Sequence, residues 1–240
     1  MDKLLTLREI GEVAKKAHAA VKAAIRPGVT ARELDKIAHD VITGAQMKPA
    51  FLGYKGYPAA SCISINDEIV HGIPSDQELR EGDIVSVDLG VEKDGCIVDT
   101  ARTHPVGRVS GELSRLLTVT DNALQQAIAV AKPGNRVGDI GAAAEAVVKQ
   151  GGFHVVRDLT GHGVGKSLQE PPSIPNFGRA GTGTLLEEGM VLAIEPITSL
   201  KPTDIAVLSD NWTIVATAHC PCAHFEDTIY LTKSGSVILT

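Results

Sequence analysis

The chain has 240 residues, 43% hydrophobic and 22% charged, the make-up of a globular protein long enough to bury a core without disulfides or a structural metal. Its 23 basic and 29 acidic residues give a net charge of −6, without the clustered positive footprint that nucleic-acid phosphates demand. No apolar run approaches the ~20 residues of a membrane span, and the Met1-Asp2-Lys3 start lacks the apolar centre of a signal peptide. Cys62, Cys96, Cys220 and Cys222 show no disulfide framework, so the expected setting is a reducing cytoplasm, with neither nucleic acid nor membrane as partner.

Leu7, Ile10, Val13, Ala14, Ala17, Val21 and Ile25 recur at helical spacing and predict a helix over 5–25, stopped by Pro27-Gly28. Thr30 caps a second helix and Glu33 completes its capping box. From Ala59 to Thr103 the pattern changes to β-branched segments, at 60–65, 84–91 and 96–103. Helices return over 113–131 and from about 135 to 150, separated by Pro133-Gly134. Strands are expected near 153–157, 190–195, 213–217 and 225–231.

Pro27-Gly28 matches Pro133-Gly134, and at the same offset Leu34 meets Ile140, Ala38 meets Ala144 and Val41 meets Val147. Two copies of helix pair plus strands suggest one domain over 1–240, built from pseudo-twofold halves of about 5–105 and 111–235. Helices grouped before strands imply an α+β fold, with helices on one face of a mainly antiparallel sheet and a ligand in the cleft on the other.

The chemistry gathers at acids inside apolar strands. With Glu92-Lys-Asp-Gly95 taken as a hairpin loop, Val91 pairs with Cys96 and Asp88 falls opposite Asp99. Like charges set opposite each other need a cation between them, and a shared metal supplies it. Solvent-facing acids, or a different register, are the other readings of the hairpin alone. His162 lies in an expected glycine loop, Thr160-Gly-His162-Gly-Val-Gly165, whose backbone can bend around a ligand. Glu195 closes the apolar run Met190-Val-Leu-Ala-Ile, and Glu226 opens another in His224-Phe-Glu226-Asp-Thr-Ile. Two Asp, two Glu and one His make the oxygen-rich ligand set of a two-metal site, and two divalent cations balance four carboxylates. Water held between such cations becomes a hydroxide nucleophile.

The motifs Asn66-Asp-Glu-Ile-Val-His71-Gly-Ile-Pro74, Gly82-Asp-Ile-Val-Ser-Val-Asp88, Asp94-Gly-Cys-Ile-Val-Asp99-Thr, Thr160-Gly-His162-Gly-Val-Gly and Ala193-Ile-Glu195-Pro resemble the type I, bacterial-type methionine aminopeptidases of peptidase family M24. The resemblance covers essentially the whole chain and implies the family's pita-bread fold, which suits the repeat. It implies two divalent metal ions (Mn, Fe, Co or Zn) on Asp88, Asp99, His162, Glu195 and Glu226. Asp99 and Glu226 would bridge the ions, Asp88 would chelate one, and His162 and Glu195 would hold the other. Glu195 would also relay the proton from water to the leaving amine, and His71 is similar to the family's substrate-binding histidine. Tyr54, Tyr57, Cys62 and Trp212 fall at positions resembling the methionine pocket; for Trp212 alone, core packing is an equal reading. The substrates implied are nascent polypeptide N-termini with a small second residue, met by a cytoplasmic monomer near the ribosome.

The chain departs from the family where a second histidine is replaced by Gln169, and where Leu168 replaces a usual phenylalanine. Phe51 and Val70 replace residues often Cys in bacterial members. The missing histidine binds substrate rather than metal, so metal binding is expected to survive while rate and specificity come into question. A proline-directed peptidase and a non-enzymatic peptide- or ribosome-binding homologue are the rival readings. The loop Ala218-His-Cys220-Pro-Cys222-Ala-His224 fits no common zinc spacing and is expected to carry free thiols. The histidines at 18, 39, 104 and 154 are expected on helix surfaces or strands.

Overall fold

The computed structural model describes residues 3–240; Met1 and Asp2 lie outside the described residues. The first half runs α1 (Lys3–Ala24), α2 (Ala31–Gly44), β1 (Lys48–Pro49), β2 (Ser61–Ile65), β3 (Glu68–Val70), β4 (Ile84–Lys93) and β5 (Cys96–Pro105). The second half opens with α3 (Gly111–Val130), α4 (Val137–Gly151), β6 (His154–Val155), β7 (Thr160–Gly163) and β8 (Glu170–Pro175). It ends with β9 (Val191–Ile194), β10 (Ile197–Ser199), β11 (Ile205–Val207), β12 (Ile214–Ala216), β13 (Cys222–His224), β14 (Asp227–Thr232) and β15 (Gly235–Ile238).

The helices lie where the 3.6-residue pattern puts them. Leu7, Ile10, Ala14, Ala17 and Val21 of α1 are fully buried, as are Leu34, Ala38 and Ile42 of α2. They pack with Ile63, Val87, Leu89 and Val98 from the sheet in one apolar cluster, while Leu116, Leu124, Ile140 and Val148 of α3 and α4 join Leu192, Ile194 and Ile229 in a second. The two helix-pair turns are built alike. Gly28 and Gly134 adopt φ of 86° and 93°, which disfavours a side chain, and each donates its N–H to a later leucine carbonyl, Leu79 or Leu186. Glu33 then caps the N–H of Thr30 at 2.8 Å and Asp139 that of Arg136 at 2.7 Å.

All strand pairs are antiparallel. In one sheet β4 takes β1, β2 and β5 as neighbours; the largest sheet runs β15-β14-β9-β7-β8, and two three-stranded sheets run β13-β10-β6 and β11-β12-β3. An isolated antiparallel bridge between Ala101 and Glu226 ties β5 of the first half to the second. No helix among the described residues is long and apolar enough to cross a membrane.

Three expectations are corrected. The β4–β5 turn is the two-residue Asp94-Gly95, with φ of 52° and 72°, not a four-residue loop. Two positive φ values in succession make a tight turn whose twist suits the strands. Lys93 therefore pairs with Cys96, Asp88 with Ala101 and Asp99 with Gly90. The slip is two residues, and side chains alternate with period two, so Asp88 and Asp99 still share a face as diagonal neighbours. Next, Thr160–Gly163 is a strand rather than a glycine loop. Its glycines permit close packing: a Cβ on Gly161 would lie 2.4 Å from the Ala193 carbonyl oxygen, and one on Gly163 2.3 Å from that of Pro171. Finally, His18 is half-buried on α1 rather than on its open surface. Its Nε2 lies 3.1 Å from the Thr100 carbonyl behind β5, and burial, aided by Arg102, pushes it down to about 3.

Candidate metal centre

Each acid is delivered by a strand whose neighbours fix it. Asp88 and Asp99 lie mid-strand on β4 and β5. The Asp99 backbone is held by Thr228, whose Oγ accepts its N–H at 2.8 Å and donates to its carbonyl at 2.7 Å. His162 sits on β7 opposite Ala193 of β9. Glu195 follows β9 directly, and Asn176 donates to its carbonyl at 2.8 Å. Glu226 stands between β13 and β14 rather than at a strand start. Its N–H donates to the Ala101 carbonyl at 2.9 Å, and its own carbonyl accepts from Thr100 Oγ1 at 2.9 Å and from the Arg102 guanidinium.

The five side chains converge on one buried spot. Asp88, Asp99, Glu195 and Glu226 are each at most 9% exposed. One ligand atom apiece from Asp99, His162 and Glu226 lies within 4.8 Å of the other two. His162 Nε2 is 3.5 Å from Glu195 Oε1 and 3.9 Å from Asp99 Oδ2. Its Nδ1 is 3.0 Å from the Gly163 carbonyl. A carbonyl only accepts, so Nδ1 carries the hydrogen and Nε2 offers its lone pair to the acids.

Burial raises all four carboxyls, and the charge of Asp99 adds to it at the other three. Asp88 and Glu226 are pushed well above the usual range by burial and then by Asp99, and Glu195 by burial and Asp99. Asp99 is pushed up to about 7 by burial, against the pull of hydrogen bonds from Asp88 and Thr100. Burial lowers His162, which favours the neutral imidazole. Asp88 Oδ1, Asp99 Oδ1 and Glu226 Oε1 are buried with no hydrogen-bond partner among the described residues. Buried oxygens of this kind cost stability unless something cationic meets them. The donor set, four carboxylates and one lone-pair imidazole, fits hard or borderline divalent metals.

Residues 6–233 match metallopeptidase family M24. The chain belongs to this metallopeptidase family. It is 42% identical to methionine aminopeptidase 1 of Bacillus subtilis, over 98% of this chain and 94% of that protein. The crystal structure of methionine aminopeptidase from Rickettsia prowazekii superposes with a TM-score of 0.97 at 39% identity, covering 99% of this chain and 96% of that one. The prolidase of Pyrococcus furiosus, 24% identical, shares the fold with a TM-score of 0.77; this chain covers 64% of it. The architecture is the α+β pita-bread fold of these metallopeptidases.

A cavity of about 220 Å³ opens over the candidate centre. Its lining brings Tyr54, Tyr57, Cys62, Leu168, Gln169 and Trp212 together with His71 and the five candidate ligands. The Tyr57 ring meets Trp212 edge-on at 5.0 Å, and its hydroxyl lies 2.9 Å from the Gly72 carbonyl. Asp210 accepts the N–H groups of Trp212 and Thr213 at 2.8 and 2.9 Å, a turn that aims the indole inward. His71 adopts φ of 59°, an uncommon backbone state for a side-chain-bearing residue.

One residue of this site was not expected. His224, two residues before Glu226, lines the cavity with its Nε2 3.5 Å from Glu195 Oε2. Extended chain turns alternate side chains the same way, and that spacing was the available signal.

The Cys220-Pro-Cys222 loop lies apart from this centre. Both cysteines are free and buried among Ile69, Val70, Val156, Ile197 and Ala216, and burial raises the Cys222 thiol. They act as small apolar side chains. Replacing both by Ser is expected to lower stability by about 1–3 kcal/mol, because two hydroxyls enter an apolar cluster. Metal content per chain should stay that of the wild type; loss of a bound equivalent, read by elemental analysis, would make the loop a metal site.

Proposed function

We propose that this M24 metallopeptidase removes the initiator methionine from nascent proteins whose second residue is small, using two divalent metal ions held by Asp88, Asp99, His162, Glu195 and Glu226. In this reading these five side chains would together hold the ions, and Glu195 would also carry the proton. The observation that carries the reading is the convergence of four buried carboxyls and a lone-pair imidazole, with three carboxyl oxygens unpartnered, at the floor of a partly aromatic cavity. The relatives named methionine aminopeptidase support the substrate class. We read 1–240 as a single catalytic domain with halves of about 5–105 and 111–235, working as a monomer in the cytoplasm and meeting its substrates near the ribosome.

Divalent metal held there would supply Lewis-acid chemistry, acidifying water and polarising the scissile carbonyl. The protein's own groups do the rest. Tyr54, Tyr57, Cys62, Leu168 and Trp212 enclose the methionine side chain, whose thioether suits an aromatic slot. His71, facing the cavity beside Trp212 at 6.5 Å between rings, hydrogen-bonds the substrate. Glu195 takes a proton from the attacking water on its carboxylate and returns it to the departing amine.

The test is a Met-Ala-Ser peptide given to chelator-stripped protein with and without Mn²⁺ or Co²⁺. Methionine release that needs added metal is expected. Absence of release in the metal-loaded protein, or preferential cleavage of a Xaa-Pro peptide, would overturn the reading.

Gln169 sets a further expectation. It lies on the exposed rim of the cavity, beside buried Leu168. Its amide can donate to a carbonyl as an imidazole would, but with more rotatable bonds and no capacity to gain charge. Gln169→His is expected to raise kcat on Met-Ala-Ser by about 3- to 50-fold with a smaller change in KM, since the gained bond strengthens in the transition state. Kinetics at matched metal occupancy check this. An equal or slower variant would mean that the rim is shaped around glutamine.

A further inference from the structure

His224 takes no part in the mechanism above, yet its ring is buried between two of the acids. Nε2 is buried, 3.5 Å from Glu195 Oε2 and 3.7 Å from Glu226 Oε2, and makes no hydrogen bond of ordinary length to any other described residue. The ring's attachment is clamped. The His224 N–H donates to Thr103 Oγ1 at 2.8 Å, the same hydroxyl lies 2.8 Å from the His224 carbonyl, and β13 pairs His224 with Ile197 of β10. A histidine that merely filled the core would have its ring nitrogens satisfied by neutral groups. This one points Nε2 at two carboxyl groups; ionised, as metal ligands are, these only accept, so Nε2 is then the nitrogen that carries hydrogen.

The two oxygens of Glu195 are thereby divided between two imidazoles. Oε1 faces His162 Nε2 at 3.5 Å, and Oε2 faces His224 Nε2 at the same distance. His162 presents a lone pair, as its Nδ1 is committed to Gly163, whereas His224 presents a hydrogen.

We propose that His224 is a positioning residue of the metal centre: its Nε2–H donates to Glu195 Oε2, with Glu226 Oε2 as second acceptor, and so fixes Glu195 with Oε1 turned to the metal side beside His162. The inference rests on the reading of Glu195 and Glu226 as metal ligands. Partners that orient ligating carboxylates without touching metal govern affinity through the geometry they impose. Two acids on different segments, one after β9 and one after β13, are here held by a single ring.

The test compares chelator-stripped wild type with His224→Gln, His224→Leu and His224→Asn. Mn²⁺ binding is followed by titration calorimetry, the visible spectrum is recorded with Co²⁺, and kinetics are measured on Met-Ala-Ser. Gln keeps a donor of similar reach; Leu has none, and the shorter Asn leaves its donor short of Glu195. Leu and Asn are expected to weaken Mn²⁺ binding by about 10- to 100-fold and to lower kcat by a similar factor with KM little changed. The Co²⁺ absorption should change with them. Gln should stay within about threefold of wild type on every readout. Asn keeps the test open if Leu fails to fold. The proposal is overturned if Leu or Asn binds Mn²⁺ like the wild type, or if Gln loses as much as Leu, since the ring's bulk rather than its donor would then matter. Wild-type protein that takes up no metal would overturn the metal-centre reading as well, whereas normal uptake by every variant would remove only the role of His224.

Discussion

Glu195→Gln is expected to lower kcat on Met-Ala-Ser by about 10²–10⁴-fold, the range for loss of a positioned acid–base group, with KM changing far less. The substitution is nearly isosteric. Glu195 is 9% exposed, and Asn176 grips its backbone carbonyl, so the amide keeps both the packing and the local chain path. What disappears is a negative charge and the capacity to carry a proton. The proposed methionine slot, where Tyr54, Tyr57, Cys62, Leu168 and Trp212 line the cavity, is left unaltered by the change. The metal-free variant should be no less stable than the wild type, because burial and Asp99 already disfavour ionisation at this position. Steady-state kinetics at matched metal occupancy, with a thermal melt of each protein, decide the matter. Turnover within tenfold of wild type would remove Glu195 from the proton path.

Asp99→Asn should weaken metal uptake by at least about 100-fold and, in the same protein, stabilise the metal-free form at neutral pH. The reason is linkage. In the folded metal-free chain Asp99 is pushed up to about 7 by burial, from an ordinary 3.8. Between about pH 4 and 7 the unfolded chain has released a proton that the folded chain still holds. The unfolded state then binds fewer protons, so stability falls as pH rises through this window, being unpenalised below it and fully penalised above. Asparagine has no proton to lose and should flatten that slope. Saturating Mn²⁺ should reverse the slope in the wild type, since the cation favours the ionised acids. Thermal melts of stripped and loaded protein from pH 4 to 8 test both halves. A metal-free wild type that gains stability over this range would contradict the raised carboxyl.

Helices were legible because α1 to α4 obey local rules: apolar residues at helical spacing, a Pro-Gly stop, an acid three residues past the cap. The strand register was not, because it turns on whether Glu92 and Lys93 belong to the loop or to β4. Asp94-Gly95 alone answers this, being the dipeptide that tolerates two positive φ values. The shared face of Asp88 and Asp99 survived the error only because the slip was even. Thr160–Gly163 misled for a different reason. Its glycines signal backbone proximity, which a loop around a ligand and a strand squeezed between β8 and β9 require equally. The candidate ligands stand out in the sequence as acids interrupting apolar strands, but their convergence depends on the Ala101–Glu226 bridge between distant segments, which no local pattern encodes. His224 was hidden by its neighbours, being read with Cys220 and Cys222 when its side chain belongs with Glu226.

The central claim is that five side chains from both halves hold two metal ions on which methionine release depends. Anomalous diffraction from crystals of active protein equilibrated with Mn²⁺ tests it most directly. Two peaks about 3.5–4 Å apart are expected, enclosed by Asp88, Asp99, His162, Glu195 and Glu226 and sharing Asp99 and Glu226. Protein that releases methionine from Met-Ala-Ser while its manganese lies elsewhere, or while these five residues bind none, would contradict the account.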